Sequence, residues 1–166
     1  MQVPKRKGGK YTYIKPDPNL TQEKFDALKK EKENIIKNVR PPLIAEVKTL
    51  AELGDFSENA AYQIAKGRLR GLNQRILDIE DQIKNVQIIN PSQNTDTISL
   101  GHRVTIETNN KQQTFQILGS AETNPGKGII SHNSLLGKAL MGRKIGDEII
   151  LNLAGKIVEY IITKIA

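Results

Sequence analysis

Residues 65–86, AKGRLRGLNQRILDIEDQIKNV, decide the architecture of this chain. Within them Ala65, Leu69, Leu72, Ile76, Ile79, Ile83 and Val86 are spaced 4, 3, 4, 3, 4, 3. That spacing draws one apolar stripe along a helix, and an unbroken heptad seam needs a second helix to cover it. The partner lies upstream. Phe25, Leu28, Ile35 and Val39 recur at helical spacing, with Lys32 in the position an apolar residue would fill, and the stripe resumes as Leu43, Val47 and Leu50. Thr21 can cap this segment, because its hydroxyl can accept a bond from a first-turn amide. Pro41-Pro42 interrupt it. Proline lacks the amide donor and crowds the preceding turn, at a cost of about 3 kcal/mol or more, so a kink or a break into two helices is expected there. A short connection containing Gly54 joins the two segments, which predicts an antiparallel hairpin. At about 1.5 Å per residue, residues 21–54 make an arm on the order of 50 Å long.

Outside the hairpin the pattern changes twice. Residues 1–20 carry Lys5, Arg6, Lys7, Lys10 and Lys15 against Asp17, hold Gly and Pro, and end near Pro16-Asp17-Pro18. They read as a basic flexible tail. Residues 90–98, opening Asn90-Pro91-Ser92-Gln93-Asn94, are polar and aperiodic and read as a linker. After them the period shortens to two. Val104 and Ile106 alternate with polar neighbours, as do Phe115 and Ile117, and Glu148–Leu153 and Lys156–Ile165 form two β-rich runs around Ala154-Gly155. Leu135–Met141 is expected to form one short helix closed by Gly142. The predicted fold class is α+β: a tail over 1–20, a coiled-coil hairpin over 21–89, a linker over 90–98 and a small α+β domain over 99–166.

Composition removes several functions. The chain has 166 residues and no cysteine, which excludes disulfides, thiolate metal sites and cysteine nucleophiles together. Its two histidines, His102 and His132, are too scattered for a histidine-based metal site. Aromatics are 4% of residues with no Trp, so the core must be aliphatic and a broad base-stacking platform is not expected. No apolar run is long enough to span a bilayer, and no apolar signal core follows Lys5-Arg6-Lys7, so a cytoplasmic location is expected. The formal charge of +7 is unevenly placed. Residues 1–20 hold +4 of it, while 21–86, with twelve bases and eleven acids, are nearly balanced. A basic tail points to a polyanionic partner or to a solvated extension.

The turn of the hairpin reads Leu53-Gly54-Asp55-Phe56-Ser57-Glu58-Asn59-Ala60-Ala61-Tyr62. Asp55 and Glu58 are three apart and share a face wherever the backbone is helical. The same spacing has the form of a capping box, in which both side chains satisfy orphan amides at a helix start. Against that, two carboxylates at the end of a long arm are badly placed to support a core. Behind them Tyr62, Lys66 and Arg70 follow Glu58 at intervals of four, with Arg68 and Arg75 on neighbouring faces. An acidic tip on a basic shaft suits a metal-bound phosphate with a nucleic-acid backbone behind it; a solvated helix face is the plainer alternative.

The tip segment 53–62 resembles the signature of the Gre transcript-cleavage factors, GreA and GreB. So do Leu20-Thr21-x-Glu23 with Phe25 and Leu28, and Val39-Arg40-Pro41-Pro42. In the second half Ile130-Ser131, Gly137-Lys138-Ala139-Leu140 and Ile145-Gly146-Asp147-Glu148 resemble the family's C-terminal, FKBP-like domain. The likeness runs in order over roughly residues 20–165. It departs at Ala61, where the family usually has a third acid, at Lys24 in place of a glycine, at Leu135 and Leu153 in place of prolines, and in a longer, more basic start. Tyr62-Gln63 and Lys66-x-Arg68-Leu69-Arg70 lean towards the more basic GreB shaft.

The resemblance implies a transcription elongation factor that binds bacterial RNA polymerase and is no enzyme by itself. The arm would enter the polymerase secondary channel, with the C-terminal domain docked near its entrance. Asp55 and Glu58 would act in the polymerase active centre, sharing a Mg²⁺ there, and would stimulate cleavage of the nascent RNA 3′ end in backtracked complexes. Ser57, Tyr62, Lys66, Arg68 and Arg70 would contact RNA or polymerase. No cofactor is expected in the free protein, nor a membrane partner, and a monomer is expected. Rival readings are a prolyl isomerase, for which residues 87–166 offer only the aromatics Phe115 and Tyr160, a Gre-like polymerase inhibitor, and a coiled-coil adaptor without chemistry.

Overall fold

The computed structural model describes residues 17–52, 54, 59–153 and 155–166; residues 1–16, Leu53, residues 55–58 and Ala154 lie outside the described residues, and with them the basic tail up to Pro16. The arm begins at α1 (Gln22–Asn34). Thr21 is its cap, the hydroxyl accepting from the Lys24 amide at 3.2 Å. A π-helical turn, Ile35–Val39, follows, in which the Arg40 amide bonds back to the Ile35 carbonyl, and α2 (Arg40–Glu52) continues directly from it. The chain therefore stays helical from Gln22 to Glu52, and Pro41-Pro42 produce no break.

Two constraints meet at that turn. Pro41 and Pro42 fall in the first turn of α2, and a π turn ahead of them widens the ladder where their rings would crowd carbonyls four residues back. The seam also carries one residue too many. Steps of three and four from Phe25 lead through Ile35 to Val39, whereas the same steps back from Leu50 through Val47 and Leu43 lead to Arg40. The π turn absorbs the extra residue. Val39, expected in the seam, is accordingly 41% exposed. Arg40 is half-buried instead, its Nε donating to Asn73 Oδ1 at 3.0 Å.

The returning helix α3 (Ala60–Lys84) carries the heptad seam as expected. Ala65 and Ile79 are fully buried and Leu69, Leu72, Ile76, Ile83 and Val86 half-buried. Where the upstream stripe lacks an apolar residue, Lys32 reaches Glu80 at 2.8 Å. Beside it Arg75 forks onto Glu31, Nε to Oε1 at 2.8 Å and Nη2 to Oε2 at 2.9 Å. The Arg75 hydrogen bond holds the Glu31 carboxyl below the usual range.

The arm closes at its base through two short parallel strands, β1 (Asn19–Leu20) and β2 (Gln87–Ile88). Residues 17–20, grouped with the tail by their composition, belong to this base. Leu20 is 2% exposed and packs with Leu28, Ile35 and Ile79, an apolar contact that the polar neighbours of Leu20 concealed. The α+β domain follows: β3 (Arg103–Thr108), β4 (Lys111–Leu118), β5 (Ile129–Ser131), α4 (Leu135–Leu140), β6 (Glu148–Leu153) and β7 (Lys156–Ile165). Its sheet order is β5-β4-β3-β7-β6, antiparallel except for the β4–β5 pair. The core is aliphatic and includes Ile98, so the end of the segment read as linker is an integral part of the domain. His102 is buried at the same place, its Nε2 2.9 Å from the Ser92 carbonyl and its Nδ1 accepting from the Ser99 amide at 3.3 Å.

Two carboxylates join arm and domain. Glu122 takes the Thr21 amide and the Thr21 hydroxyl, each at 2.6 Å. Asp17 takes the Ser120 amide at 2.7 Å and the Ser120 hydroxyl at 2.9 Å, with His132 Nδ1 3.4 Å away. A Cβ at Gly119 would lie 1.8 Å from the Asn19 carbonyl oxygen, so only glycine allows the two segments this close. Burial pushes the Asp17 carboxyl up, but the bonds from Ser120 and Asn19 outweigh it and hold it below its ordinary value. Its stabilising contribution is therefore complete above the ordinary Asp range, near about 3.9, and is lost as pH falls through the lower native value.

Removing the Glu122 carboxylate by Glu122→Ala leaves the half-buried Thr21 amide and hydroxyl without their acceptor. Charged hydrogen bonds contribute about 1.5–3 kcal/mol, and a loss of that order is expected in urea unfolding. Combined with Thr21→Val the losses should fall short of additive, because both substitutions remove the same interaction.

Candidate functional site

The distal end of the arm is built by Asn59. Its side-chain oxygen accepts from the Tyr62 amide at 2.9 Å, capping α3, and its side-chain nitrogen donates to the Leu50 carbonyl of α2 at 3.2 Å. One amide thus satisfies an orphan donor of the returning helix and an orphan acceptor of the outgoing one. Gly54 stands between them at φ +74, its amide bonded to the Ala51 carbonyl at 3.3 Å. The N-cap of α3 is therefore Asn59. Asp55, Ser57 and Glu58 themselves lie outside the described residues. The role of Asn59 was missed from sequence because Asp55-x-x-Glu58 offered a more familiar capping pattern; Asn followed by Ala60-Ala61 was the available signal.

Behind the tip the structure brings three of the expected contact residues together. Tyr62, Lys66 and Arg70 lie on one face of α3, and the Lys66 ammonium stands 5.4 Å from the centre of the Tyr62 ring. Lys66 and Arg70 are exposed. Arg68 is exposed too, but two residues along a helix turn the side chain by about 200°, which puts it on the other flank of the seam. Arg75, counted with the basic shaft from sequence, is spent on Glu31. Among the described residues no carboxylate pairs with Lys66, Arg68 or Arg70, so their charge is available to a ligand.

The described residues contain no group of three His, Cys, Asp or Glu able to hold a metal, and no helix long and apolar enough to cross a membrane. In the α+β domain Phe115 and Tyr160, the only aromatics there, pack onto the aliphatic core.

Two family descriptions together span this architecture: residues 19–88 match "Transcription elongation factor, N-terminal" and residues 92–166 match "Transcription elongation factor, GreA/GreB, C-term". The chain belongs to the GreA/GreB family of transcription elongation factors. GreA of Nautilia profundicola is 33% identical over 150 residues, covering 88% of this chain and 92% of its own length. GreA of Mesoplasma florum is 37% identical over 133 residues, covering 78% and 85%. These relatives carry the name GreA, whereas the basic shaft alone leaned towards GreB. Among solved structures, GreA factor homolog 1 of Thermus thermophilus aligns over 89% of this chain and 97% of its own at 24% identity, with a TM-score of 0.40, too low to bear on the assignment.

For this Gre family member, Asn59→Ala removes both ends of the tip clamp and should lower stability by about 1 kcal/mol, the usual worth of a helix cap. Asn59→Asp keeps the acceptor for Tyr62 and loses the donor to Leu50, so its melting temperature should fall between those of Asn59→Ala and the parent.

Proposed function

We propose that this protein binds bacterial RNA polymerase, reaches through the secondary channel, and stimulates the polymerase's Mg²⁺-dependent cleavage of the nascent RNA 3′ end in backtracked complexes. The observation that supports the reading most is the position of the tip. In sequence the acidic stretch Asp55 to Glu58 lies between the end of the outgoing helix at Glu52, which closes 31 helical residues or about 45 Å of arm, and the start of the returning helix at Ala60.

The donor set suits a shared ion. Carboxylate oxygens are hard ligands, but Mg²⁺ keeps an octahedral shell rich in water, so Asp55 and Glu58 alone would hold it weakly and need the polymerase's carboxylates or RNA phosphates to complete the site. When bound, Mg²⁺ supplies charge neutralisation at the phosphate and a more acidic water. The residues of this chain do the rest: Asp55 and Glu58 furnish oxygens and orient the water, while Lys66 and Arg70 hold the RNA backbone. Tyr62 lies beneath Lys66 on the same face, and Ser57 and Arg68 serve as further contacts. The protein has no turnover alone, acts as a monomer, and docks its α+β domain beside the channel entrance.

Asp55→Asn removes one negative charge from the tip. Stability and polymerase binding should stay near normal, while transcript shortening by a backtracked polymerase falls by an order of magnitude or more and partly recovers with added Mg²⁺. Glu58→Gln should act in the same direction. Full cleavage by Asp55→Asn at limiting Mg²⁺ would refute the metal role and leave a channel-binding adaptor.

Lys66→Ala with Arg70→Ala should leave the fold intact, since both lie off the seam. Engagement of backtracked RNA should weaken and its salt dependence flatten, by a slope on the order of one per lost phosphate contact. Unchanged affinity and cleavage across a salt titration would return both residues to a solvated helix face.

A further inference from the structure

The outer face of β6 and β7 is half apolar and has no cover among the described residues. Ile150 of β6 and Ile157 and Ile161 of β7 are 65%, 72% and 45% exposed. Strand register fixes their neighbours. Glu148 faces Ile161, Ile150 faces Glu159 and Asn152 faces Ile157, so isoleucines and polar residues alternate like a checkerboard over two strands. Ile161 also faces Glu107 of β3. Glu107, Glu148 and Glu159 converge on a shallow groove of about 200 Å³ floored by Ile161 and rimmed by the Asn109-Asn110 turn. No cation pairs with any of the three among the described residues. The basic side chains on this face, Arg103 and Lys164, stand several residues away, towards the end of the sheet nearest Asp17.

The chain carries a segment of complementary chemistry. Residues 1–16 hold five cations, Lys5, Arg6, Lys7, Lys10 and Lys15, and no acid. They also hold Lys10-Tyr11-Thr12-Tyr13-Ile14-Lys15, whose two-residue spacing would set Tyr11, Tyr13 and Lys15 on one side if the segment paired as an extended strand. Two aromatics and an ammonium on one edge match a surface of isoleucines and carboxylates. Reach is sufficient. Asp17 is fixed beside Ser120 at the end of β4; β7 and β6 are two and three strand spacings across, about 10 and 15 Å, and the level of Glu107 and Ile161 is about 20 Å back along the strands. Sixteen extended residues span about 50 Å.

We propose that the basic N-terminal segment, residues 1–16, docks in cis on the outer face of β6 and β7, its lysines and Arg6 against Glu107, Glu148 and Glu159 and its tyrosines over Ile150, Ile157 and Ile161. The occupant is thus this chain's own tail, which withdraws five cations from the polyanion expected from charge alone and covers the apolar face.

Because the chain has no cysteine, Lys7→Cys gives a single site for a nitroxide label on the full-length protein. At about 0.1 M salt the label should broaden the methyl signals of Ile150, Ile157 and Ile161 severalfold more than those of Leu135 and Ile145. Near about 1 M salt, where screening shortens to about 3 Å, the difference should shrink strongly. Glu148→Gln with Glu159→Gln, both exposed, should weaken the effect without moving the melting temperature. Uniform broadening across all five methyls, or none, overturns the proposal. A sample mixing labelled chains with isotope-labelled, nitroxide-free chains must show no broadening; broadening there would make the occupant a second copy and equally overturn it.

Discussion

A single carboxylate, that of Glu122, sets where the arm points. In an ordinary capping box the acid that reaches back to the cap amide stands three residues into the same helix. Here that position is Lys24, and the acid comes from the other domain. Helix start and domain docking are therefore one interaction, reinforced by Asp17 on Ser120. The lever arm explains why this matters: a tilt of about ten degrees at the base of an arm this long displaces its tip by roughly 8 Å. The position of the distal end depends on bonds made at the opposite end.

Between base and tip the two helices must keep register over their whole length. The seam does this with mixed means. Most of its positions are aliphatic, but near its middle Lys32 with Glu80 and Arg75 with Glu31 replace apolar contact by ion pairs. These pairs are partly exposed, and such pairs stabilise little. Their value is geometric, since a forked arginine accepts only one alignment of its carboxylate. The π turn next to them removes the one-residue surplus and seats two prolines in a first helical turn, so a single irregularity resolves two conflicts.

At the far end Asn59 holds the two helices together. Its one side chain caps α3 and ties down the Leu50 carbonyl of α2, so the two helices are joined at their distal ends. Charge on the shaft divides: Arg75 is consumed within the arm, while Lys66 and Arg70 keep their charges facing outward beside Tyr62.

The heptad spacing of residues 65–86, the alternation in the later strands and the low aromatic content by themselves determined a helical hairpin followed by an aliphatic α+β domain, because periodicity dictates which face of an element must be buried. The tip motif is a pattern of sequence neighbours, and its acidic residues lie outside the described residues. Tertiary structure alone decided the rest. Thr21 and Glu122 are 101 residues apart and Asp17 and Ser120 are 103 apart, so no local pattern could pair them. Leu20 and Ile98 looked like tail and linker because burial depends on what packs against a residue, not on its polar neighbours. The fate of Pro41-Pro42 was likewise undecidable locally: a π turn and a break both relieve the prolines, and only the need to keep both halves of the seam against α3 selects the turn.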